Sequence, residues 1–352
     1  MKILHIITRL DKGGSAENVL LCCEYFSKKN DFEVVLIYGG KTKLNLDFKN
    51  YYVKFLQREI SLINDIIVFF KILKIMIKEK PDIVHTHSSK AGFIGRWATY
   101  FSSKFKVKGL KTKIVHTPHG HIFYGYYNKF ITSFFIFFEM ITAKITDKLI
   151  ALTEGEKNES LSFGVGKKEQ WVVIPSGVNY SFKFRVQSSE LKEKLGISKN
   201  SIIVGTVARL EPVKGIKYLV DAAKVILSFP TYYLLPTIYF LIVGDGSERK
   251  FLEERVKKLG MKDKFIFTGM RDDIVDLISI MDIYVQPSLN EGMGKTIVLA
   301  ELLGKPVVAT NVQGISSVVL DNETGILVPP KNPQKLAKTI IKLIENKTLR
   351  EK

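Results

Sequence analysis

The chain is poor in cysteine. Among 352 residues only Cys22 and Cys23 are cysteines. Neighbours on a helix point about 100° apart, so the two are badly placed to pair, and they offer no metal-ligand spacing. A disulfide framework is excluded and a reduced, cytoplasmic compartment is expected. Acidic residues are scarce as well, 35 against 53 Lys and Arg, for a formal charge of +18. Residues 1–185 carry 29 Lys and Arg against 16 Asp and Glu, and the remainder carries 24 against 19. The excess gathers at Lys71, Lys74, Lys78 and Lys80 and at Lys104, Lys106, Lys108, Lys111 and Lys113. Such a face attracts anionic lipid headgroups, by roughly 1 kcal/mol per cation held close to the surface. Nucleic acid is attracted by the same charge, and a merely solvated lysine-rich face is the plain alternative. Long apolar runs are missing too. The longest, Phe130–Ile141 (FITSFFIFFEMI), is too short to span a bilayer and is interrupted by Glu139. No apolar segment of the signal-peptide kind follows the basic start, so none is expected. There is no Asp-x-Asp, no GxGxxG, no short-period repeat and no low-complexity tract.

Short β-branched runs are present, alternating with longer helical patterns. Ile3–Ile7, Phe32–Tyr38, Asp82–His87, Lys113–Pro118, Lys148–Leu152 and Trp171–Pro175 predict one series of strands. Ser201–Leu210, Ile238–Gly246, Lys264–Gly269, Asp282–Ser288 and Lys305–Thr310 predict a second. Between strands, apolar residues recur at helical spacing, as at Ile67, Phe70, Leu73 and Ile77. This alternation predicts an α/β chain of βαβ units, folded as two Rossmann-like domains facing across a cleft. The polar stretch Ser176–Ser189 marks the joint, giving domains 1–180 and 181–352. Open α/β sheets bind ligands at the carboxyl ends of their strands. Ser228–Phe240, with two prolines, reads as a loop insertion packing on a neighbour or a lipid surface, or else as a buried connector.

Four strand-to-helix junctions carry candidate chemistry. Gly13 and Gly14 open a helix after the first strand, where free N–H groups can approach a phosphate or sugar oxygen; a plain tight turn is the alternative. The segment VHTPHGHIF places His119 at a sheet edge, able to bond a substrate hydroxyl or steady developing charge. His116 falls on the strand and reads as a core residue. His119 and His121 lack an acidic partner nearby, so a metal is not expected. Arg209 and Lys214 bracket the strand-to-helix loop VARLEPVKG, and two cations beside a helix start suit a diphosphate. Glu291 precedes a glycine-rich turn, Gly292-Met293-Gly294, before a helix opening at Lys295 and Thr296. A carboxylate there can accept from two sugar hydroxyls.

With these segments in view the chain resembles glycosyltransferase family 4, retaining enzymes of the GT-B fold, over nearly its whole length. The resemblance rests on Arg209 with Lys214, on Glu291-Gly-Met-Gly-Lys, and on LIVGDGSER and GKPVVATNVQGI. HTHSSKAGFIGR (His85–Arg96) and HTPHGHIFYGYY are similar to the branch that builds bacterial surface polysaccharides on a lipid carrier. It implies catalytic roles for His119, Arg209, Lys214 and Glu291. Gly13, Gly14, Gly244, Arg271, Gly292, Met293, Gly294, Lys295 and Thr296 would bind the donor, and His87, Lys90 and His121 would face the acceptor. The cations would stand in for a metal, with no cofactor. A hexose or N-acetylhexosamine would pass from a nucleotide sugar, UDP-linked, to a lipid-linked saccharide in surface polysaccharide biosynthesis. The enzyme would be cytoplasmic, peripheral to the inner membrane face, and without a nucleic-acid partner. The helix containing Phe130–Ile141 is expected to face the core, with contact to lipid tails as the second reading.

Two departures from the family pattern stand out. Leu299 occupies the place of the second glutamate of the signature, which implies a weaker grip on the ribose. Losing a charged hydrogen bond of that kind costs about 1.5–3 kcal/mol. The end at NKTLREK implies that helices crossing back to the first domain are missing. The alternatives are a sugar-nucleotide 2-epimerase of the same architecture and a catalytically weakened paralogue.

Overall fold

The computed structural model describes residues 1–10, 13–40, 43–104, 112–120, 128–178, 188–229 and 236–351. His121, Lys106, Lys108, Lys111 and much of the expected insertion lie outside them. The described residues up to Ser176 form one compact unit and those from Gly177 form another.

The first unit holds β1 (Lys2–Ile7), α1 (Gly14–Ser27), β2 (Glu33–Tyr38), β3 (Lys49–Tyr52), α2 (Leu62–Glu79), β4 (Ile83–His87), α3 (Ser89–Lys104), β5 (Lys113–Thr117), α4 (Lys129–Ala143), β6 (Lys148–Ala151), α5 (Glu154–Ser162) and β7 (Trp171–Val173). Its described strands make a parallel sheet in the order β3-β2-β1-β4-β5-β6-β7. The second unit holds α6 (Ser188–Lys194), β8 (Ile202–Val207), α7 (Ile216–Leu227), β9 (Ile238–Val243), α8 (Arg249–Lys258), β10 (Phe265–Gly269), α9 (Ile274–Ser279), β11 (Ile283–Gln286), α10 (Lys295–Leu302), β12 (Val307–Thr310), α11 (Gln313–Ser316), β13 (Gly325–Val328), α12 (Pro333–Glu345) and α13 (Lys347–Glu351). Its sheet runs β10-β9-β8-β11-β12-β13, again parallel. Helices cover both faces of each sheet, which is why β1, β2 and β8 are almost entirely buried and read as continuous apolar runs.

In each sheet the first strand lies between the second and the fourth. The connections leave it in opposite directions, and the loops after β1 and β4, and after β8 and β11, part at the carboxyl ends. Such switch points are where doubly wound sheets hold ligands. The short strands β3 (KNYY) and β13 (GILV) are additional to the strands expected from sequence; each sits at a sheet edge and is too brief to show a pattern.

The helix expected around Ile67–Ile77 is α2; it buries Val68, Ile72 and Met76, whereas Phe70 and Ile77 stand exposed, so it is apolar on two faces. α4 faces the core only in part: Thr142 and Ala143 are fully buried and Ile136 packs on a core cluster, whereas Phe130, Phe134 and Phe137 are 85%, 56% and 55% exposed. Glu139, which breaks the apolar run, has a structural purpose. It accepts two hydrogen bonds, 2.7 and 2.9 Å, from the fully buried Arg96 of α3 and so fastens α4 to its neighbour.

Candidate active site

At the switch point of the second sheet the loops after β8 and β11 are tied together. Leu289 N–H donates to the Val213 carbonyl at 2.8 Å. Gly215, at φ 64°, passes so close to β11's exit that a Cβ would lie 2.1 Å from the Pro287 oxygen, so only glycine fits. Lys214 follows from this geometry: its ammonium donates to Glu291 Oε1 at 2.7 Å. The same oxygen accepts from Gln286 Nε2 at 2.9 Å and Ser288 Oγ at 2.8 Å. The Tyr284 hydroxyl meets Gln286 and Thr296 at 2.8 Å each, extending the network to the first turn of α10. Gly294 caps that helix in the left-handed region. Gly314, whose Cβ would fall 2.0 Å from the Glu291 carbonyl, presses the start of α11 against the Glu291 backbone.

Lys214, Glu291, Thr296 and the glycine turn with the half-buried Gly292 and buried Met293 are thus brought together, with Lys295 opening α10. Arg209 stands in the same β8 loop but its guanidinium donates to Glu211 at 2.9 Å. Gly244 sits after β9 with the Ala208 carbonyl filling the place of a side chain. Arg271 lies after β10, two strands from β8, bonded to Asp273 at 2.7 Å. Leu299 packs, half-buried, against a core cluster of this unit, while Glu301 bonds the Thr324 hydroxyl at 2.8 Å instead of replacing it. Gln286, Ser288 and Tyr284 were not legible as site residues, because inside a strand run they read as core.

In the first unit the β1 and β4 exits are joined by Thr8 and Ser88 hydroxyls 3.0 Å apart. Gly14 begins α1, and Gly13 before it has open space where a side chain would be. Lys90 pairs with Asp65 at 2.6 Å. Ser88 and His119 both adopt positive φ, 62° and 60°, a conformation costly for residues with a side chain and held here by their surroundings. Glu156, buried in α5, holds the turn after His119. Its carboxyl accepts from Gly120 N–H at 2.8 Å and Leu152 N–H at 2.6 Å. Burial pushes this carboxyl up to about 7, against the pull of those two donors.

Behind His119 lies a group of imidazoles. His87, expected on the acceptor side, is fully buried: Nδ1 lies 3.0 Å from His119 Nε2 and Nε2 lies 3.0 Å from His5 Nδ1. His85 Nε2 meets the Thr117 hydroxyl at 2.8 Å, and His116 Nδ1 meets that of Thr86 at 2.9 Å. Burial holds His5 down to about 4 and keeps His85, His87 and His116 well below the ordinary imidazole range, with neighbouring charges adding to the effect at the latter three. Ring nitrogens of His5, His85 and His87 come within 4.8 Å of one another. Those of His5 and His87 are directed at each other in a hydrogen bond rather than at a common point.

Known proteins resemble both units. Residues 12–182 match the model described as Glycosyltransferase Family 4, and residues 187–352 match Glycosyl transferases group 1. The UDP-Gal:alpha-D-GlcNAc-diphosphoundecaprenol alpha-1,3-galactosyltransferase of Escherichia coli is 32% identical over 85% of this chain and 76% of its own length. The capsular polysaccharide biosynthesis glycosyltransferase CapM of Staphylococcus aureus is 26% identical over 93% of this chain and 84% of its own. Among solved structures, Anabaena Alr3699/HepE in complex with UDP and glucose aligns at a TM-score of 0.80 with 22% identity, covering 100% of this chain and 93% of that one. That likeness establishes the GT-B fold. The galactosyltransferase identity, sustained across three quarters of that relative, establishes more: the chain belongs to glycosyltransferase family 4 and is a glycosyltransferase.

Proposed function

We propose that the enzyme moves a hexose or N-acetylhexosamine, with retention and without a metal, from a UDP sugar to a lipid-linked saccharide in the assembly of a bacterial surface polysaccharide. The observation that carries this reading is the Lys214–Glu291 pair at the β8/β11 switch point, set beside the start of α10. Lys214 and Arg209 supply the positive charge that a departing diphosphate needs, aided by the helix start. Glu291 takes the sugar hydroxyls, exchanging part of its internal network for them. His119 hydrogen-bonds the sugar. Retention follows when the acceptor attacks from the face the diphosphate leaves, the leaving phosphate taking the acceptor's proton. The chain has no Asp-x-Asp pair to hold a metal in the usual way of metal-dependent transferases.

The acceptor class is drawn from the E. coli relative, whose name specifies a diphosphoundecaprenol-linked sugar. Exposed apolar chains on α2 (Leu62, Ile63, Ile66, Phe70) and α4 (Phe130, Phe134, Phe137), with Lys71, Lys74, Lys78 and Lys129 on the same helices, suit a peripheral place at an anionic membrane. Among the described residues no helix is long and apolar enough to cross one.

A mass-spectrometric screen of nucleotide sugars with a lipid-linked acceptor tests the reading. Transfer from a UDP sugar, undiminished by a chelator, is expected, with the anomeric configuration kept in the product. An isomerised donor formed without acceptor would favour an epimerase. Activity appearing only after Leu299→Glu would favour a weakened paralogue.

A further inference from the structure

His5, His87 and His119 form a single file. Centroids of successive rings are 5.3 and 5.2 Å apart with only 19° and 26° between planes, and the facing nitrogens are 3.0 Å apart at both junctions. Rings that meet edge to edge through one in-plane hydrogen bond have this geometry. A neutral imidazole carries one N–H and one bare nitrogen. Each junction needs one of each, so the file has only two self-consistent arrangements, running in opposite directions.

The buried end selects between them. His5 Nε2 is buried and has no hydrogen-bond partner. Were the proton on that nitrogen, a buried N–H would go unsatisfied, and orphaned donors are the rarer case in folded proteins. The proton therefore resides on His5 Nδ1 and is donated to His87 Nε2. His87 then carries its own proton on Nδ1 and donates it to His119 Nε2.

We infer that His5 and His87 are positioning residues that fix His119 as the neutral tautomer with its proton on Nδ1 and its Nε2 occupied. Protonating His119 would set two N–H groups against each other unless both imidazoles behind it reversed. The functional consequence rests on the reading of His119 as a sugar-contacting residue: it offers the donor sugar a neutral ring of one fixed polarity rather than an imidazolium. Among the groups around the file, His85, with its ring 4.0 Å from that of His87, and His116 beyond Thr86 with Arg96 near it disfavour a further positive charge, while the Glu156 carboxyl behind Gly120 opposes them, the less so because burial raises it to about 7.

The chain has six histidines, so selective ¹⁵N-histidine labelling gives a readable ring spectrum, assigned by single variants. At neutral pH, His119 in the wild-type protein is expected to show protonated Nδ1 and bare Nε2. His87→Leu removes the donor; His119 should then move to the Nε2–H form and titrate nearer the ordinary imidazole value of about 6.5. The acid limb of kcat should move to higher pH. His87→Asn, whose amide N–H₂ stands near the place of Nδ1, should keep the wild-type tautomer and profile. An Nε2–H or doubly protonated His119 in the wild type would overturn the inference, as would identical behaviour of the Leu and Asn variants. If His87→Leu does not fold, the wild-type and Asn spectra still decide. His119→Ala with undiminished turnover would remove the catalytic reading while leaving the ring spectrum to stand or fall alone.

Discussion

At the level of single residues, the half-buried Lys214 and the buried Glu156 show two ways of using an ionisable group. Lys214 is held by Glu291, yet Glu291 keeps Gln286 and Ser288 as donors when the lysine is removed. Lys214→Ala should therefore fold and lose turnover at least tenfold, more than about 1.4 kcal/mol of transition-state stabilisation. Steady-state kinetics checks this, and unchanged turnover would remove the ammonium from the mechanism. Glu156 shapes a turn instead. Glu156→Ala leaves the Gly120 and Leu152 N–H groups without their acceptor and should cost about 1–3 kcal/mol in urea unfolding. Its raised pKa also sets a direction. The contribution is fully present below the ordinary carboxyl value near 4.5 and is lost as pH rises through about 7. Both candidate sites were legible in part from residue type and position. Lys214 and Glu291 stood out because charges beside glycines at strand exits are unusual. Glu156, Gln286 and the His5–His87 file did not, because nothing local distinguishes a buried carboxylate or imidazole that works through a distant partner from one that merely packs.

Among the helices, α4 gives the clearest test. Its aromatic surface is turned outward and its one acid is bound to Arg96. Phe134→Ser with Phe137→Ser should leave folding intact, since both side chains are already exposed, and should lower binding to anionic vesicles in a sedimentation assay. Binding should also fall with added salt, as the lysines of α2 and α4 are screened. Loss that follows salt alone, unaffected by the serine pair, would show that α4 takes no part. Arg96→Met would strand Glu139 at the α3–α4 contact and should cost about 3 kcal/mol. The sequence pattern left this helix between core and lipid because apolar periodicity reports that a face avoids water, and a lipid surface satisfies that as well as a core does.

For the molecule as a whole, each unit has its own apolar clusters, and both tryptophans, Trp97 and Trp171, belong to the first. Tryptophan fluorescence therefore reports the unfolding of that unit. Glu79 is its main acid-sensitive tie, joining the end of α2 to β1 and β3 through Lys2 at 3.2 Å, Lys49 at 2.7 Å and the Tyr51 hydroxyl. Burial alone would raise this carboxyl, but the donors outweigh it and hold it at about 2. The stability it contributes is present above about 4.5 and is lost as pH falls toward 2. Glu79→Gln should lower stability at neutral pH by about 1–3 kcal/mol, Lys49 being half exposed, and should flatten the acid limb of the fluorescence-monitored transition. A parallel shift at every pH would dismiss the assignment. The sequence by itself determined two βαβ series, the strand exits that bear Gly13, His119, Lys214 and Glu291, and the family, because alternating pattern, glycine turns and charge at loop positions are local properties. Only the tertiary structure decided that Lys214 meets Glu291 across 77 residues, that His87 is enclosed between His5 and His119, and that α4 turns its aromatics outward. Those outcomes depend on which strands lie side by side and which helix faces are already covered, and strand order is a property of the assembled sheet.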